Sequence, residues 1–363
     1  MDSKSMPDRL GFRWVILSLA WFIYFSFGLI TAAFAPLVTP IMSKLRLTHT
    51  EVGAVAGAWQ LIYVFTAYPI GILSDRWGSR NTLLLGVTII SLSSCLRAFA
   101  TGFETLFIYT ALFGLGGPMI SIGLPKLIAS WFTGSEKGVA AGIYASGVSV
   151  GNITGLALTN SLVLPVLGSW EMVFLSYSLA GFSIALVWGL VGRETSYEGE
   201  KIEETPGLLE GIRETFRLRS VWAVIFIGIA HFLVNHGLRS WLPRILEVKG
   251  YTAVDAGFIA SLLVVSGILG SLLIPKASYY IGSKRTLYLA LLMSSFTLSA
   301  LGISRGLTLL AEIFIIGFFM VGITPLLLLI FMEMPEIGAK HMGIAAGLYF
   351  SIGEIGGFSG PFL

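Results

Sequence analysis

The chain has 363 residues, of which 55% are hydrophobic and 12% are charged, and its formal net charge is +3. Soluble globular proteins carry about 25% charged residues, so the composition excludes a water-soluble domain and predicts an all-α polytopic membrane protein. A net charge this small argues against a nucleic-acid partner. With one cysteine and four histidines, an internal disulfide is excluded and a zinc framework is not expected.

Eleven apolar segments match the length of a membrane-spanning helix, which needs about 20 residues. In chain order they cover residues 14–36, 52–73, 82–100, 106–128, 139–164, 172–191, 221–242, 256–275, 286–303, 307–332 and 342–363. The first segment is long and lacks a small-residue cleavage site, so it predicts a retained span and not a signal peptide.

Lys and Arg are distributed unevenly between the loops on the two sides. If the N-terminus lies inside, the inner loops and their flanks hold sixteen of the 23 basic residues. Because basic residues concentrate on the cytoplasmic side, we expect a multi-pass protein of the cell (inner) membrane with a cytoplasmic N-terminus.

The longest gap between spans lies at residues 193–220 and contains seven acidic and five basic residues. This charge content predicts a solvated cytoplasmic linker. It would join an N-terminal six-helix half, residues 1–192, to a C-terminal half, residues 221–363. Within the linker, residues 206–219 have the pattern of a short amphipathic helix.

Three short segments of the first half recur in the second half in the same order. Residues 51–53, 78–80 and 140–144 correspond to residues 255–257, 282–284 and 345–349, at offsets of 204, 204 and 205. Chance matches are common in apolar sequence, but three at nearly one offset predict a duplicated six-helix bundle, a pattern typical of secondary transporters.

The same offset aligns Leu363 with Leu158, which lies inside the fifth span. We therefore expect the second half to be cut within its fifth helix, so that eleven spans are visible and the twelfth is missing. The repeat predicts roughly 35 further residues.

A motif follows the second span. It consists of Gly71, Asp75, Arg76, Gly78 and Arg80, in the segment Gly-Ile-Leu-Ser-Asp-Arg-Trp-Gly-Ser-Arg. This segment resembles the loop signature of the major facilitator superfamily, which has a Gly, then Asp-Arg, then Gly and basic residues. The resemblance covers the whole chain and implies a secondary transporter with two six-helix bundles.

The resemblance also implies that this motif is a gate latch that favours the outward-facing state. Asp75 can face the positive end of a neighbouring helix, and Arg76 and Arg80 can hold it by charge-assisted hydrogen bonds. The alternative is a simple topology anchor made of cytoplasmic positive charge. Nitrate and nitrite carriers of this family place an arginine in the middle of the second and eighth spans, and neither span has one here.

Two ionisable residues lie deep within predicted spans, where a charge is costly and marks a functional candidate. His231 lies about halfway along the seventh span and Glu354 about halfway along the eleventh. Because burial favours the neutral form of a carboxyl group, we expect Glu354 to take up and release a coupling proton. His231 would be its partner or a substrate contact. The alternative is that the two residues satisfy each other and only pack the second half.

Other polar residues within the spans are candidates for lining a substrate cavity. They are Tyr24, Thr31, Gln60, Asn152, Asn235 and His236. Asn235 shares a helical face with His231, whereas rotation by about 100° per residue places His236 off that face. The alternative for each candidate is a helix–helix hydrogen bond.

No nucleotide-binding loop or nucleophile motif is present in the sequence, so we expect neither an enzyme nor a bound metal or cofactor. The expected function is secondary active transport of a small solute by alternating access, coupled to protons. An uncoupled facilitator and a transporter-like solute receptor or sensor remain alternatives. The expected partners are a small-molecule solute, protons and the lipid bilayer. The chain is expected to be a monomer. A small organic anion and a hydrophobic compound remain equally open as the substrate.

Overall fold

The computed structural model describes residues 6–194, 215, 217–334 and 337–363, and its regular elements within them are all helical. The helices are α1 (Met6–Ala32), α2 (Val38–Leu45), α3 (His49–Arg97), α4 (Phe103–Trp131), α5 (Gly134–Leu158), α6 (Leu164–Leu167), α7 (Trp170–Val191), α8 (Arg219–Val248), α9 (Ala253–Ile281), α10 (Ser283–Ala300), α11 (Gly306–Glu333) and α12 (Gly338–Phe362). The all-α fold predicted from composition is confirmed. Most of the predicted linker, with its amphipathic segment, lies outside the described residues.

Eight helical segments among the described residues are long and apolar enough to cross a membrane. They are Gly11–Leu45, Arg76–Arg97, Phe103–Trp131, Glu136–Leu167, Trp170–Val191, Arg219–Val248, Ala253–Ile281 and Gly306–Glu333. The predicted second, ninth and eleventh spans are also helical, in α3, α10 and α12, but they are not among these eight segments. Helices satisfy their own backbone hydrogen bonds in lipid, so the chain is a multi-pass integral membrane protein.

The long helix α3 contains one break, at Gly78, which separates the predicted second and third spans. Gly78 has φ 78° and ψ 162°, a conformation that glycine adopts without the steric cost borne by other residues. Gly282, which separates α9 from α10, has φ 88° and ψ 141°. The two copies of the repeated Gly-Ser segment therefore share one backbone conformation.

The helices form two compact units, the first comprising Met1–Leu47 and Phe65–Glu198. In this unit α1 packs closely against α5. An added Cβ at Gly151 would lie 2.2 Å from the carbonyl oxygen of Phe25, and one at Gly155 would lie 3.0 Å from that of Leu29. Only a glycine row permits such close backbone approach.

The second unit comprises Thr48–Val64 and Gly199–Leu363, and in it α12 packs closely against α8. An added Cβ at Gly356 would lie 2.0 Å from the carbonyl oxygen of Ile229, and one at Gly360 would lie 2.0 Å from that of Leu233. These glycines are the repeat counterparts, at offset 205, of the two in α5.

The beginning of α3 belongs to the second unit, although its sequence lies in the first predicted half. An added Cβ at Gly53 would lie 2.0 Å from the carbonyl oxygen of Pro361, and one at Gly57 would lie 2.5 Å from that of Phe358. The missing side chains let this segment lie directly against the backbone of α12.

Candidate functional site

The polar residues of the second unit lie mainly on α8, in its middle turns. His231 is 5% exposed and Asn235 is 8% exposed. Glu354, on the adjacent helix α12, is 8% exposed. The close glycine contacts between α8 and α12 bring this carboxyl group against α8. Because a buried charge is costly unless it is paired, the neighbours of Glu354 decide what it can do.

The neighbour of Glu354 is His236. Oε2 of Glu354 lies 3.7 Å from Nε2 of His236, too far for a hydrogen bond but close enough for electrostatic interaction. Among the described residues this carboxylate oxygen has no hydrogen-bond partner. The buried Glu354 and the partly buried His236 therefore form an acid–base pair between α12 and α8.

The other nitrogen of His236 is held by Gln60. Nε2 of Gln60 lies 3.1 Å from Nδ1 of His236, and the ring of Trp59 packs against the imidazole with centroids 6.0 Å apart. With the amide in this orientation Gln60 donates to Nδ1, so the proton of a neutral imidazole sits on Nε2 and faces Glu354. If His236 became doubly protonated, the amide of Gln60 would have to turn so that its oxygen accepts from Nδ1.

His231, the expected partner of Glu354, lies elsewhere. Its Nε2 is 3.1 Å from the hydroxyl oxygen of Thr324 on α11. The row of α8 that touches α12 contains Ile229 and Leu233; His236 borders this row, and the His231 ring reaches α11 instead. The expectation of a Glu354–His231 pair is therefore corrected to a Glu354–His236 pair.

One turn after His236, Arg239 adds a positive charge to the same part of α8. Its Nε is buried without a hydrogen-bond partner, and no described carboxylate pairs with it. An arginine without a protein counter-ion in an apolar region favours binding of an anion.

The loop motif lies in the first unit, where Arg80 caps the end of α7. Its Nε donates to the carbonyl oxygen of Gly192 and its Nη2 to that of Gly189, both at 2.6 Å. Carbonyl oxygens at the end of a helix carry partial negative charge and favour such a cation. Arg76 is exposed, Gly71 precedes it in α3, and the side chain of Asp75 lies outside the described residues.

Beside this cap, the side chain of Glu194 lies against the helix break at Gly78. Its Oε1 accepts a hydrogen bond of 2.7 Å from the backbone N–H of Ser79. An added Cβ at Gly78 would lie 2.2 Å from the Glu194 carboxylate oxygens. Gly78 is thus required both for its positive φ and for the space that the carboxylate fills.

The cavity candidates in the first unit are Tyr24, Thr31 and Asn152, and the structure describes contacts of the first two. The ring of Tyr24 lies 5.7 Å from that of Phe27 and 5.9 Å from that of Tyr144. The hydroxyl of Thr31 donates to the carbonyl oxygen of Phe27 in its own helix at 2.7 Å. Asn152 is half-buried in α5. In the second unit two of the candidates, Gln60 and His236, contact each other.

The sequence analysis missed Trp59 and Thr324, but the repeat contained a signal for the cluster. At offsets of 204 and 205, His231 corresponds to Phe27, His236 to Ala32, and Glu354 to Ser149. The two copies thus diverge from apolar or neutral residues to ionisable residues where the structure brings Glu354 and His236 together.

Comparison with known proteins identifies relatives along the whole chain. A model of the Major Facilitator Superfamily matches residues 20–361. The chain is 28% identical to the hexuronate transporter of Bacillus subtilis, over 63% of this chain and 56% of that protein. It is 27% identical to the D-galactonate transporter of Escherichia coli, over 64% of this chain and 59% of that protein. The chain thus spans somewhat more than half the length of these two relatives.

A further relative is a probable nitrate/nitrite antiporter of Thermus thermophilus, 24% identical over 99% of this chain and 85% of that protein. Among solved structures, a bacterial homologue of the human lysosomal transporter Spinster is similar with a TM-score of 0.80 and 19% identity, covering 97% and 81% of the two chains. A D-xylose–proton symporter is similar with a TM-score of 0.70 and 15% identity, covering 96% and 90%. With this fold and the motif at Gly71–Arg80, the chain belongs to the major facilitator superfamily.

Proposed function

We propose that this chain is a secondary transporter that moves a small organic anion across the cell (inner) membrane together with a proton, by alternating access. The observation that carries the proposal is the pair of the buried Glu354 and the partly buried His236, with Oε2 and Nε2 3.7 Å apart. Family membership supports transport, and the pair supports coupling.

The coupling rests on charge balance within the second unit. Glu354 and Arg239 do not form an ion pair, but they lie on the adjacent helices α12 and α8. In this proposal an ionised Glu354 keeps the net charge of the two residues at zero. When a proton from water binds the carboxylate, Arg239 is left as an uncompensated cation, which is costly in an apolar region. A substrate carboxylate then restores neutrality, so proton binding favours anion binding. Release of the anion on the other side of the membrane reverses both steps.

A small organic anion is favoured over a hydrophobic compound because Arg239 has no described carboxylate partner. Three of the relatives are named as transporters of hexuronate, D-galactonate or galactarate/D-glucarate, which are sugar acids. Gln60, Asn235 and His236 would supply hydrogen bonds to the hydroxyl groups of such a molecule. Nitrate is less favoured, because the second and eighth spans lack the arginine that nitrate carriers have.

The remaining sequence predictions fit this proposal. The N-terminal half (1–192) and C-terminal half (221–363), joined by a cytoplasmic linker, would rock against each other during transport. The motif with Gly71, Asp75 and Arg76 would act as the cytoplasmic latch. The excess of basic residues in the inner loops supports a cytoplasmic N-terminus.

The test is uptake of D-galactonate and of a hexuronate into proteoliposomes, with and without an imposed pH gradient and with D-glucose as a neutral control. Glu354→Gln should abolish uptake driven by the pH gradient while preserving anion exchange, because the amide cannot carry the proton. Glu312→Gln is the matched control, since Glu312 lies in α11 and accepts a hydrogen bond from Ser304 at 2.6 Å; it should behave as the wild type.

The outcomes separate the alternatives. Uptake of the acids that is unaffected by the pH gradient in the wild type would overturn the coupling and indicate a facilitator. Binding of the acids, measured by thermal shift, without any uptake or exchange would indicate a receptor. Full proton dependence in Glu354→Gln would show that another residue carries the proton.

A further inference from the structure

The turn between α9 and α10 forms a strongly basic part of the surface. Lys276 lies near the end of α9, and Lys284 and Arg285 lie in the first turn of α10; all three side chains are exposed. Because α9 is one of the helices able to span a membrane, its end at Ile281 lies near a membrane surface. If α9 spans the bilayer, the three cations lie at the depth of the lipid headgroups.

Three exposed tyrosines accompany these cations. Tyr279 is 87% exposed, Tyr280 is 74% exposed and Tyr288 is 69% exposed. Tyrosine is enriched where a membrane helix meets water, because its ring contacts acyl chains and its hydroxyl reaches the headgroups. Tyr279 and Tyr280 follow Lys276 by three and four residues, and Tyr288 follows Lys284 by four, so rings and cations share helix faces.

The positive charge of this surface is not neutralised by described residues. None of the three cations forms an ion pair with a described carboxylate. The sequence has no Asp or Glu between Asp255 and Glu312. Glu333, at the end of α11, is the acidic residue next to the turn, and its Oε1 accepts a hydrogen bond of 2.7 Å from the hydroxyl of Ser283. Among the residues that the structure describes, three cations face this one carboxylate, so the described surface is net positive.

We propose that this surface, defined by Lys276, Tyr279, Tyr280, Lys284, Arg285 and Tyr288, binds the phosphate headgroup of an anionic phospholipid. The cations supply charge complementarity to the phosphate, and the tyrosines supply contact with the lipid that a free phosphate lacks. Tyr279 occupies the position at which the first copy of the repeat has Asp75. An exposed tyrosine in place of an acid makes the second copy of the loop better suited to contact lipid. This inference is independent of the transported solute.

The test is the affinity of the purified chain for phosphatidylglycerol, measured by native mass spectrometry in detergent against phosphatidylcholine. The triple variant Lys276→Gln/Lys284→Gln/Arg285→Gln should bind phosphatidylglycerol about a hundredfold more weakly, since each cation near an anionic headgroup contributes about fivefold. The control Lys137→Gln/Arg217→Gln/Arg219→Gln removes three other exposed cations and should retain wild-type affinity. Soluble glycerol phosphate should not compete at equal concentration.

Each result bears on the proposal. Preference for phosphatidylglycerol that is lost only in the surface variant supports it. Equal affinity of the wild type for the two lipids would overturn it, as would equal loss in both triple variants, which would indicate non-specific charge attraction. Competition by glycerol phosphate would assign the surface to free phosphate and not to lipid. A circular-dichroism spectrum of each variant establishes that its helices are intact.

Discussion

The helix pair α1 and α5 and the helix pair α8 and α12 are two copies of one arrangement with different chemistry. In the first pair Gly151 approaches the carbonyl oxygen of Phe25, and in the second Gly356 approaches that of Ile229. All four positions correspond through the repeat. The same close backbone packing therefore occurs in both helix pairs.

What differs is the polarity of the side chains near these close helix contacts. The first copy has Ala32 and Ser149 where the second has His236 and Glu354. Close glycine contacts hold two helices in a fixed register, so an acid on one helix can face a base on the other. Both helix pairs therefore share the close packing, whereas ionisable residues occupy these two positions in the second pair alone.

The largest effect is expected from adding a side chain at a closely packed glycine in either helix pair. Gly151→Ala and Gly356→Ala would put a Cβ 2.2 Å and 2.0 Å from backbone carbonyl oxygens. Since backbone cannot move aside cheaply, each should cost about 3 kcal/mol or more. The measurement is the yield of monodisperse protein by size-exclusion chromatography, together with the midpoint of thermal unfolding.

The same two helices contain their own controls. Gly142 in α5 and Gly347 in α12 are repeat counterparts, and an added Cβ would meet nothing within 4 Å at either position. Alanine at these sites should leave stability unchanged or raise it by up to about 1 kcal/mol. If only one of Gly151→Ala and Gly356→Ala lowered the midpoint of thermal unfolding, the two helix pairs would not share their packing.

A smaller effect is expected where the copies differ in charge. His236→Gln should lower proton-driven uptake about tenfold, because it removes the base facing Glu354, and an electrostatic interaction at this distance contributes about 1 kcal/mol or more. His231→Gln should affect it less, since its contact is the hydroxyl of Thr324 at 3.1 Å. The pH profile of uptake in proteoliposomes measures both. A larger shift in His231→Gln would restore the pairing expected from sequence.

Sequence reasoning identified the helices and the repeated segments, because apolar length and local motifs contain that information. It did not identify His236 as the partner of Glu354. That pairing depends on which row of α8 packs against α12, and the row is set by backbone contacts such as that of Gly360 with Leu233. Helical periodicity places residues on a face but does not say which neighbour covers that face. The functional roles of these residues stay predictions.

The two repeated loops, at Gly78 and Gly282, offer a third comparison, which concerns thermal stability. Alanine at Gly282 would meet no atom within 4 Å, so its cost is the positive φ of 88° alone, about 1–3 kcal/mol. Alanine at Gly78 would suffer similar strain and would also lie 2.2 Å from the carboxylate of Glu194. The midpoint of thermal unfolding should fall further for Gly78→Ala. Equal falls would mean that Glu194 moves aside without cost.

The smallest effect concerns the caps at the starts of α3 and α9, which correspond at offset 204. The backbone N–H of Glu51 bonds to the Thr48 hydroxyl at 3.2 Å, and that of Asp255 bonds to the Thr252 hydroxyl at 3.1 Å. Removing either hydroxyl, as Thr48→Ala or Thr252→Ala, should cost about 1 kcal/mol. Differential scanning fluorimetry on both variants would reveal whether the two caps are equivalent.

At the first of these caps the stabilisation should depend on pH. The backbone N–H of Thr48, and then its hydroxyl, donate to Glu51 and hold the pKa of that carboxyl below its usual value of 4.5. A lowered folded-state pKa stabilises the fold above the unfolded-state value, and this contribution is lost as the pH falls through the folded-state pKa. The thermal midpoint of the wild type should therefore exceed that of Glu51→Gln at neutral pH, and the difference should shrink below pH 4.5. A difference that stayed constant down to acid unfolding would show that the charge of Glu51 contributes nothing to this cap.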